Sequence, residues 1–307
     1  MEERLKETCR VDSPVLAQML ERSLGGGGKR IRPVLVLLAG GLYNSQAECL
    51  LPMAAAVEVL HTATLVHDDA IDNSPVRHGR PTINQEWGDD RAILLGDYLL
   101  AQAEALVAEA ENLAVIKLFA ASIMTLCSGE LNQSFAAFDL EQTGESYIDR
   151  IAAKTASLIV LATQSGVVLG GAPEEAVTAL KEYGYNLGIA FQIVDDILDF
   201  TGDEEEMGKP VGSDLAEGTL TLPAILLLKR SPGGDNPVRR LFRHQGDAGE
   251  NIKSAIEQVG GSGVIEDCYK LAADYIAGAK SNLEMLPDSA SRRSLTALAD
   301  YVMARKK

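Results

Sequence analysis

Apolar residues recur at helical spacing along almost the whole 307-residue chain, and strand-like alternation is nearly absent. Several of these periodic segments are longer than 20 residues and apolar on more than one face, the pattern of helices placed inside a bundle. Ala and Leu dominate the apolar positions and aromatics make up only 5%, a bias that suits close helix packing better than sheets. The spacing predicts helices over 14–23, 33–43, 47–72, 89–109, 113–141, 145–170, 173–201, 221–229, 249–259, 262–285 and 288–304. Breakers separate them: a glycine run at 25–28, the segment 75–81, Gly144, and the stretches 170–173, 202–218 and 231–234. With no low-complexity linker and no tandem repeat, residues 1–307 read as a single all-α domain.

Net charge is −16, from 28 Lys and Arg against 44 Asp and Glu. Such a chain repels nucleic acid and anionic membrane surfaces, which argues against both as partners. Its basic residues nevertheless gather at 29–32, at 77–80 and at Lys209, and local cations on an acidic protein point to a small anionic ligand. The four cysteines form no CxxC pair and read as inert thiols in a reducing compartment rather than disulfides or a zinc site. Residues 1–10 are charged and carry no signal-peptide core, and the longest apolar runs, 33–43 and 156–172, are too short or too interrupted to span a bilayer. The expectation is a cytoplasmic protein without a membrane span.

Function is carried by a pattern that occurs twice. His67-Asp68-Asp69-Ala70-Ile71-Asp72 ends one long apolar segment, and Val194-Asp195-Asp196-Ile197-Leu198-Asp199 lies in another. On a helix the first and last aspartates of each set stack one turn apart on one face, with the middle one about 100° round. Carboxylates so close repel unless a cation neutralises them, and all-oxygen donors favour a hard ion such as Mg²⁺ that also takes phosphate oxygens. A solvated acidic helix end explains one such motif about as well. Two copies embedded in apolar sequence favour a pair of sites that hold a diphosphate between metal ions.

The basic residues fit that ligand. The segment from Gly25 through Lys29-Arg30-Ile31-Arg32-Pro33 is a flexible loop running into a helix, able to offer N–H groups and cations to phosphate. It lacks P-loop spacing, so nucleotide binding is not supported. His61 lies seven residues before Asp68, nearly on the same helix face. Lys154-Thr155 interrupts an apolar helix, where a cation needs a partner. Gln192 falls on the carboxylate side of its own helix and can donate to a diphosphate.

Together these residues resemble the trans-prenyltransferases, the polyprenyl diphosphate synthases. Lys29-Arg30-Ile31-Arg32-Pro33 after the glycines is similar to their GGKRxRP element, and His61 to Gly79 to their first aspartate-rich region. Lys154-Thr155 matches their KT pair. Phe191-Gln192 through Asp199, then Gly208-Lys209-Pro210, Gly212, Asp214 and Thr221-Leu222-Pro223, match the second region. The matches run in order from about 25 to 225; the tail beyond 230 carries no signature. The resemblance implies an all-α isoprenoid-synthase bundle around a central cavity, a homodimer, and more than one Mg²⁺ ion per site. It implies Asp68, Asp72 and Asp195 as principal metal ligands, with Asp69, Asp196 and Asp199 supporting. Arg77, Lys154, Thr155, Gln192 and Lys209 would hold an allylic diphosphate, and Lys29, Arg32 and His61 isopentenyl diphosphate. Two positions depart from the pattern: His78 stands where the second arginine of RRG is expected, still a candidate for the isopentenyl diphosphate site, and Thr219 replaces a common lysine.

The implied reaction is departure of diphosphate from the allylic substrate, attack on the cation by the double bond of isopentenyl diphosphate, and loss of a proton. A terpene cyclase is the nearest rival, but it has no use for the GGKRxRP element. A non-catalytic subunit of a heteromeric prenyltransferase is the other; such subunits lose aspartates that are intact here. For product length, the two residues between Asp69 and Asp72 argue against the bacterial farnesyl-type pattern DDxxxxD. Short-chain family members of the other types tend to place an aromatic four or five residues before the first aspartate, where Thr64 and Ala63 stand. The expectation is a product longer than geranylgeranyl diphosphate, with Phe135 or Phe138 closing the tunnel deeper down.

Overall fold

The computed structural model describes residues 1–26, 28–43, 46–77, 79–202 and 210–305. In chain order its helices are α1 (Glu2–Thr8), α2 (Pro14–Leu24), α3 (Ile31–Gly40), α4 (Ala47–Ile71), α5 (Ile83–Trp87), α6 (Asp89–Ala108), α7 (Leu113–Phe135) and α8 (Gly144–Ile151). There follow α9 (Ser157–Leu169), α10 (Glu174–Thr201), α11 (Ser213–Ala216), α12 (Leu222–Arg230), α13 (Pro237–Phe242), α14 (Ala248–Gly261), α15 (Val264–Leu283) and α16 (Ala290–Ala304). Among the described residues, strand structure is limited to one hairpin, Val76–Arg77 against Arg80–Pro81. The fold is all-α, as the periodicity requires.

The chain packs as two compact units. The first comprises Met1–Ser122, Leu158–Gly184 and Met285–Leu295; the second comprises Ile123–Ser157, Tyr185–Glu284 and Thr296–Lys307. At the heart of the first lies α4, buried along Met53–Leu60 and packed on α3 and α6. Small residues allow the close approach: a Cβ on Gly96 of α6 would run into the ring of His67. The His67 Nε2–H instead donates to the Ile93 carbonyl at 3.1 Å, so the start of the first aspartate motif is fixed against α6. In the second unit α12 packs on α14 and α15, and α13 on α14.

Differences from the expected helices have local causes. The stretch 145–170 is not one α-helix: a π-helical turn, Ala152–Ala156, separates α8 from α9. Helix α7 stops at Phe135 rather than 141, because Phe138 turns into the left-handed region at φ 57 and its N–H donates to the Gly218 carbonyl at 2.8 Å. Three helical stretches, Ala47–Ile71, Leu113–Phe135 and Gly144–Leu169, are long and apolar enough to cross a membrane by length and composition, which corrects the expectation drawn from shorter runs. The most apolar windows of the first and third are 67% and 61% buried within the protein; that of Leu113–Phe135 is only 22% buried.

Candidate active site

The first aspartate set closes α4 in the first unit. The helix ends where the Asp72 N–H returns to the Asp68 carbonyl at 2.8 Å and Asn73 takes a left-handed conformation at φ 51, which asparagine tolerates better than most residues. The chain then turns into the hairpin, tied back by the Thr82 hydroxyl donating to the Ser74 carbonyl at 2.7 Å. This brings Arg77 onto Asp69, with Nε and Nη2 both 2.8 Å from Oδ1. Asp69 is buried, Asp68 half-buried and Asp72 exposed. The carboxylate of Asp69, the supporting member of its set, thus meets arginine through Oδ1.

Upstream in the same unit, His61 and Thr64 are half-buried, and the Thr64 hydroxyl donates to the His61 carbonyl at 2.8 Å. Ala63 is fully buried. Of the basic loop, Lys29 is exposed and Arg32 half-buried. Arg30, between them, reaches the buried Glu58 of α4 at 2.6 Å.

In the second unit the π-helical turn carries Lys154 and Thr155, a distortion frequent at functional sites. Lys154 finds the partner its position demands in Glu130 of α7, at 3.0 Å. The Thr155 hydroxyl donates to Gln192 Oε1 at 2.6 Å, Gln192 Nε2 donates to Asp196 Oδ1 at 2.8 Å, and the Tyr147 hydroxyl donates to Asp196 Oδ2 at 2.7 Å. Burial first, and then the neighbouring Asp214, raise the Asp196 pKa above the usual carboxylate range. Burial and Asp196 likewise push the Tyr147 phenol up.

Asp199, also buried, accepts from the Ser213 hydroxyl at 2.8 Å and the Asp214 N–H at 3.3 Å. It thereby caps α11 and anchors the chain that follows the motif. Asp196 and Asp199 are thus bonded within the protein, Asp196 to Gln192 and Tyr147 and Asp199 to the start of α11, and Thr155 bonds Gln192 in turn. Asp195 is the more accessible member. Its Oδ1 lies 2.5 Å from Nη2 of Arg305, whose guanidinium stacks over the Phe191 ring at 4.0 Å.

His78 and Lys209 lie outside the described residues. Of the residues expected to set chain length, Phe135 is 88% exposed, and Phe138 packs beyond the helix end against Phe242 and His244, with ring centroids 5.4 and 5.0 Å away. The residues that sequence reasoning passed over are Glu58, Glu130, Tyr147 and Arg305. Only Glu130 left a local signal, as an acid in the helix preceding the isolated Lys154.

Comparison with known proteins is consistent along the chain. The sequence model of the family described as Polyprenyl synthetase matches residues 13–259. Heptaprenyl diphosphate synthase component 2 of Bacillus subtilis is 37% identical over 306 residues, covering 100% of this chain and 87% of that protein. The chloroplastic solanesyl-diphosphate synthase 2 of Oryza sativa is 38% identical over 308 residues, covering 98% and 75%. Among solved structures, the polyprenyl synthase of Caulobacter crescentus CB15, complexed with calcium and isoprenyl diphosphate, matches with a TM-score of 0.94 at 34% identity, over 100% of this chain and 94% of that one.

Proposed function

This chain belongs to the polyprenyl synthetase family and is a chain-elongating trans-prenyl diphosphate synthase, and we propose that it condenses isopentenyl diphosphate with an allylic diphosphate using magnesium. One observation carries the reading. In each aspartate set some carboxylates are buried, Asp69 in the first and Asp196 and Asp199 in the second, while Asp68, Asp72 and Asp195 keep greater access to solvent. Those accessible carboxylates suit Mg²⁺, which takes one or two protein oxygens and completes its shell with water and phosphate oxygens. Among the described residues no three His, Cys, Asp or Glu side chains close on one point; a site shared with substrate needs no such cage. Calcium in the Caulobacter relative, another hard divalent ion, supports the assignment.

Magnesium, when bound, stabilises the charge that develops on the departing diphosphate. The remaining work falls to the chain. Arg77 spends Nε and Nη2 on Asp69, leaving Nη1 to donate to a diphosphate, and Lys154 on its π-helical turn contributes a second cation. Lys29, Arg32 and His61 hold isopentenyl diphosphate. Buried Ile193, Val194 and Ile197 around the second set keep water from the allylic cation. We read both units as parts of one catalytic domain, since the family match draws on residues of each.

The chain is read as a homodimer. Leu113, Ile116, Met124, Leu131 and Phe135 are exposed along one stripe of α7, the spacing of a helix that packs on another helix. The Bacillus relative is named as a component, which favours a different subunit on that stripe as the second reading. Light scattering of the purified chain decides between them. The free cysteines support a cytoplasmic protein, and the burial of the apolar windows of Ala47–Ile71 and Gly144–Leu169 supports reading those two stretches as core rather than membrane spans. The reaction itself is tested by adding isopentenyl diphosphate to the purified chain: consumption should require both an allylic diphosphate and Mg²⁺, and turnover that persists in excess chelator would contradict the proposal.

A further inference from the structure

Arg30 combines features that a surface-loop arginine does not need. It is the residue before α3, and its backbone lies in the left-handed region at φ 48 and ψ 38, where a side chain other than glycine persists only if its surroundings over-determine it. Three bonds do so. Nη1 donates to Glu58 at 2.6 Å, Nη2 to the Leu24 carbonyl at 2.7 Å, and Nε to Glu2 at 3.2 Å. Leu24 is the last residue of α2, so one guanidinium ties the end of α2, the start of α3 and the middle of α4 together. Gly26 and Gly28 between them find no packing of their own, since a side chain at either would meet nothing within 4 Å.

Glu58 is the anchor. It is 7% exposed, and a carboxylate so buried is stable only when paired. It also lies on the same stripe of α4 as Asp69, eleven residues or about 16 Å further along the axis. Asp69 holds Arg77 of the hairpin in the same way. One face of α4 thus carries two buried carboxylates, each clamping an arginine from a neighbouring basic segment and so fixing that segment's position along the helix.

We propose that Glu58 and Arg30 are a positioning pair that presents Lys29 and Arg32 to isopentenyl diphosphate. The inference rests on the reading of those two residues as ligands. Neither Glu58 nor Arg30 touches the substrate; the pair fixes the backbone from which its neighbours reach.

The test is a KM-against-kcat comparison on the purified enzyme. Glu58→Gln keeps the shape and removes the charge; Arg30→Gly relieves the left-handed backbone while removing the clamp. Both should raise the KM for isopentenyl diphosphate about tenfold, the cost of a lost charged hydrogen bond, with kcat and the allylic KM within about twofold. Arg30→Lys, which keeps the charge without the fork, should restore little. Lys29→Ala and Arg32→Ala run alongside. If these raise the isopentenyl diphosphate KM and the Glu58 and Arg30 variants do not, the pair is structural only and the proposal is overturned. If Lys29→Ala and Arg32→Ala leave that KM unmoved, the ligand reading fails, and the pair has nothing to position. A fall in kcat and a rise in both KM values together, alongside a lowered Tm, would also overturn it.

Discussion

The Tyr147 hydroxyl donates to Asp196 at 2.7 Å inside the second unit, with Tyr147 wholly buried and Asp196 2% exposed. Gln192 takes the other oxygen, so the middle aspartate of the second set is locked into the protein. Tyr147→Phe leaves a buried carboxyl oxygen without its donor and should lower stability by about 1–3 kcal/mol. Turnover should fall as well, because Asp195 sits on the same turn as the loosened residue. Unchanged melting and turnover in this variant would show that the bond is dispensable.

Asp196 also makes a pH signature. Burial raises its pKa in the folded state, whereas the unfolded carboxyl ionises near pH 4. Above that pH the unfolded chain binds fewer protons than the folded one, so stability falls as pH rises until the folded carboxyl ionises too. The metal-free protein should therefore lose Tm between about pH 5 and pH 8 more steeply than Asp196→Asn does. Equal slopes would show Asp196 ionised in the fold.

Asp68→Ala and Asp195→Ala should each abolish most turnover if the proposed metal ligation holds. Their stabilities should differ. Asp195→Ala leaves the Arg305 guanidinium, 7% exposed, without its carboxylate. That should cost on the order of 1–3 kcal/mol, less than a fully buried pair because Asp195 is a third exposed. Asp195→Ala melting at or above the wild-type temperature would show that relief of carboxylate repulsion outweighs the lost pair.

Local spacing made the helices and both aspartate motifs legible, since each depends on residues within one or two turns. Pairings over distance were not. Arg30 with Glu58, Tyr147 with Asp196 and Arg305 with Asp195 are 28, 49 and 110 residues apart, and neither periodicity nor spacing carries them. Tyr147 on Asp196 shows the limit: a helical wheel gives the direction of a carboxylate but not the distant donor waiting for it. The end of α7 failed for the same reason. Ala136-Ala137-Phe138 continues the apolar pattern, yet Phe138 is drawn off by the Gly218 carbonyl. Helices α1, α5, α11 and α13 are 7, 5, 4 and 6 residues long, too short for a 3.6-residue period to emerge.

The stripe on α7 gives a further expectation. Leu131→Glu should convert the assembled protein to a monomer in light scattering, since it places a charge in an apolar seam. Phe135→Ala should weaken assembly without changing product length, because its ring stands outside the fold. A change in product length with assembly intact would return Phe135 to the tunnel.

Elongation beyond twenty carbons by this chain alone is read out by sizing its products. The purified protein is incubated with radiolabelled isopentenyl diphosphate in excess, an allylic diphosphate and Mg²⁺, and the products are separated by length. No aromatic stands at Ala63 or Thr64 to stop the chain early. The expected product is a ladder ending past geranylgeranyl diphosphate, shortened in Ala63→Phe. Products that stop at fifteen or twenty carbons in the wild type, or no incorporation by this chain alone, would contradict it.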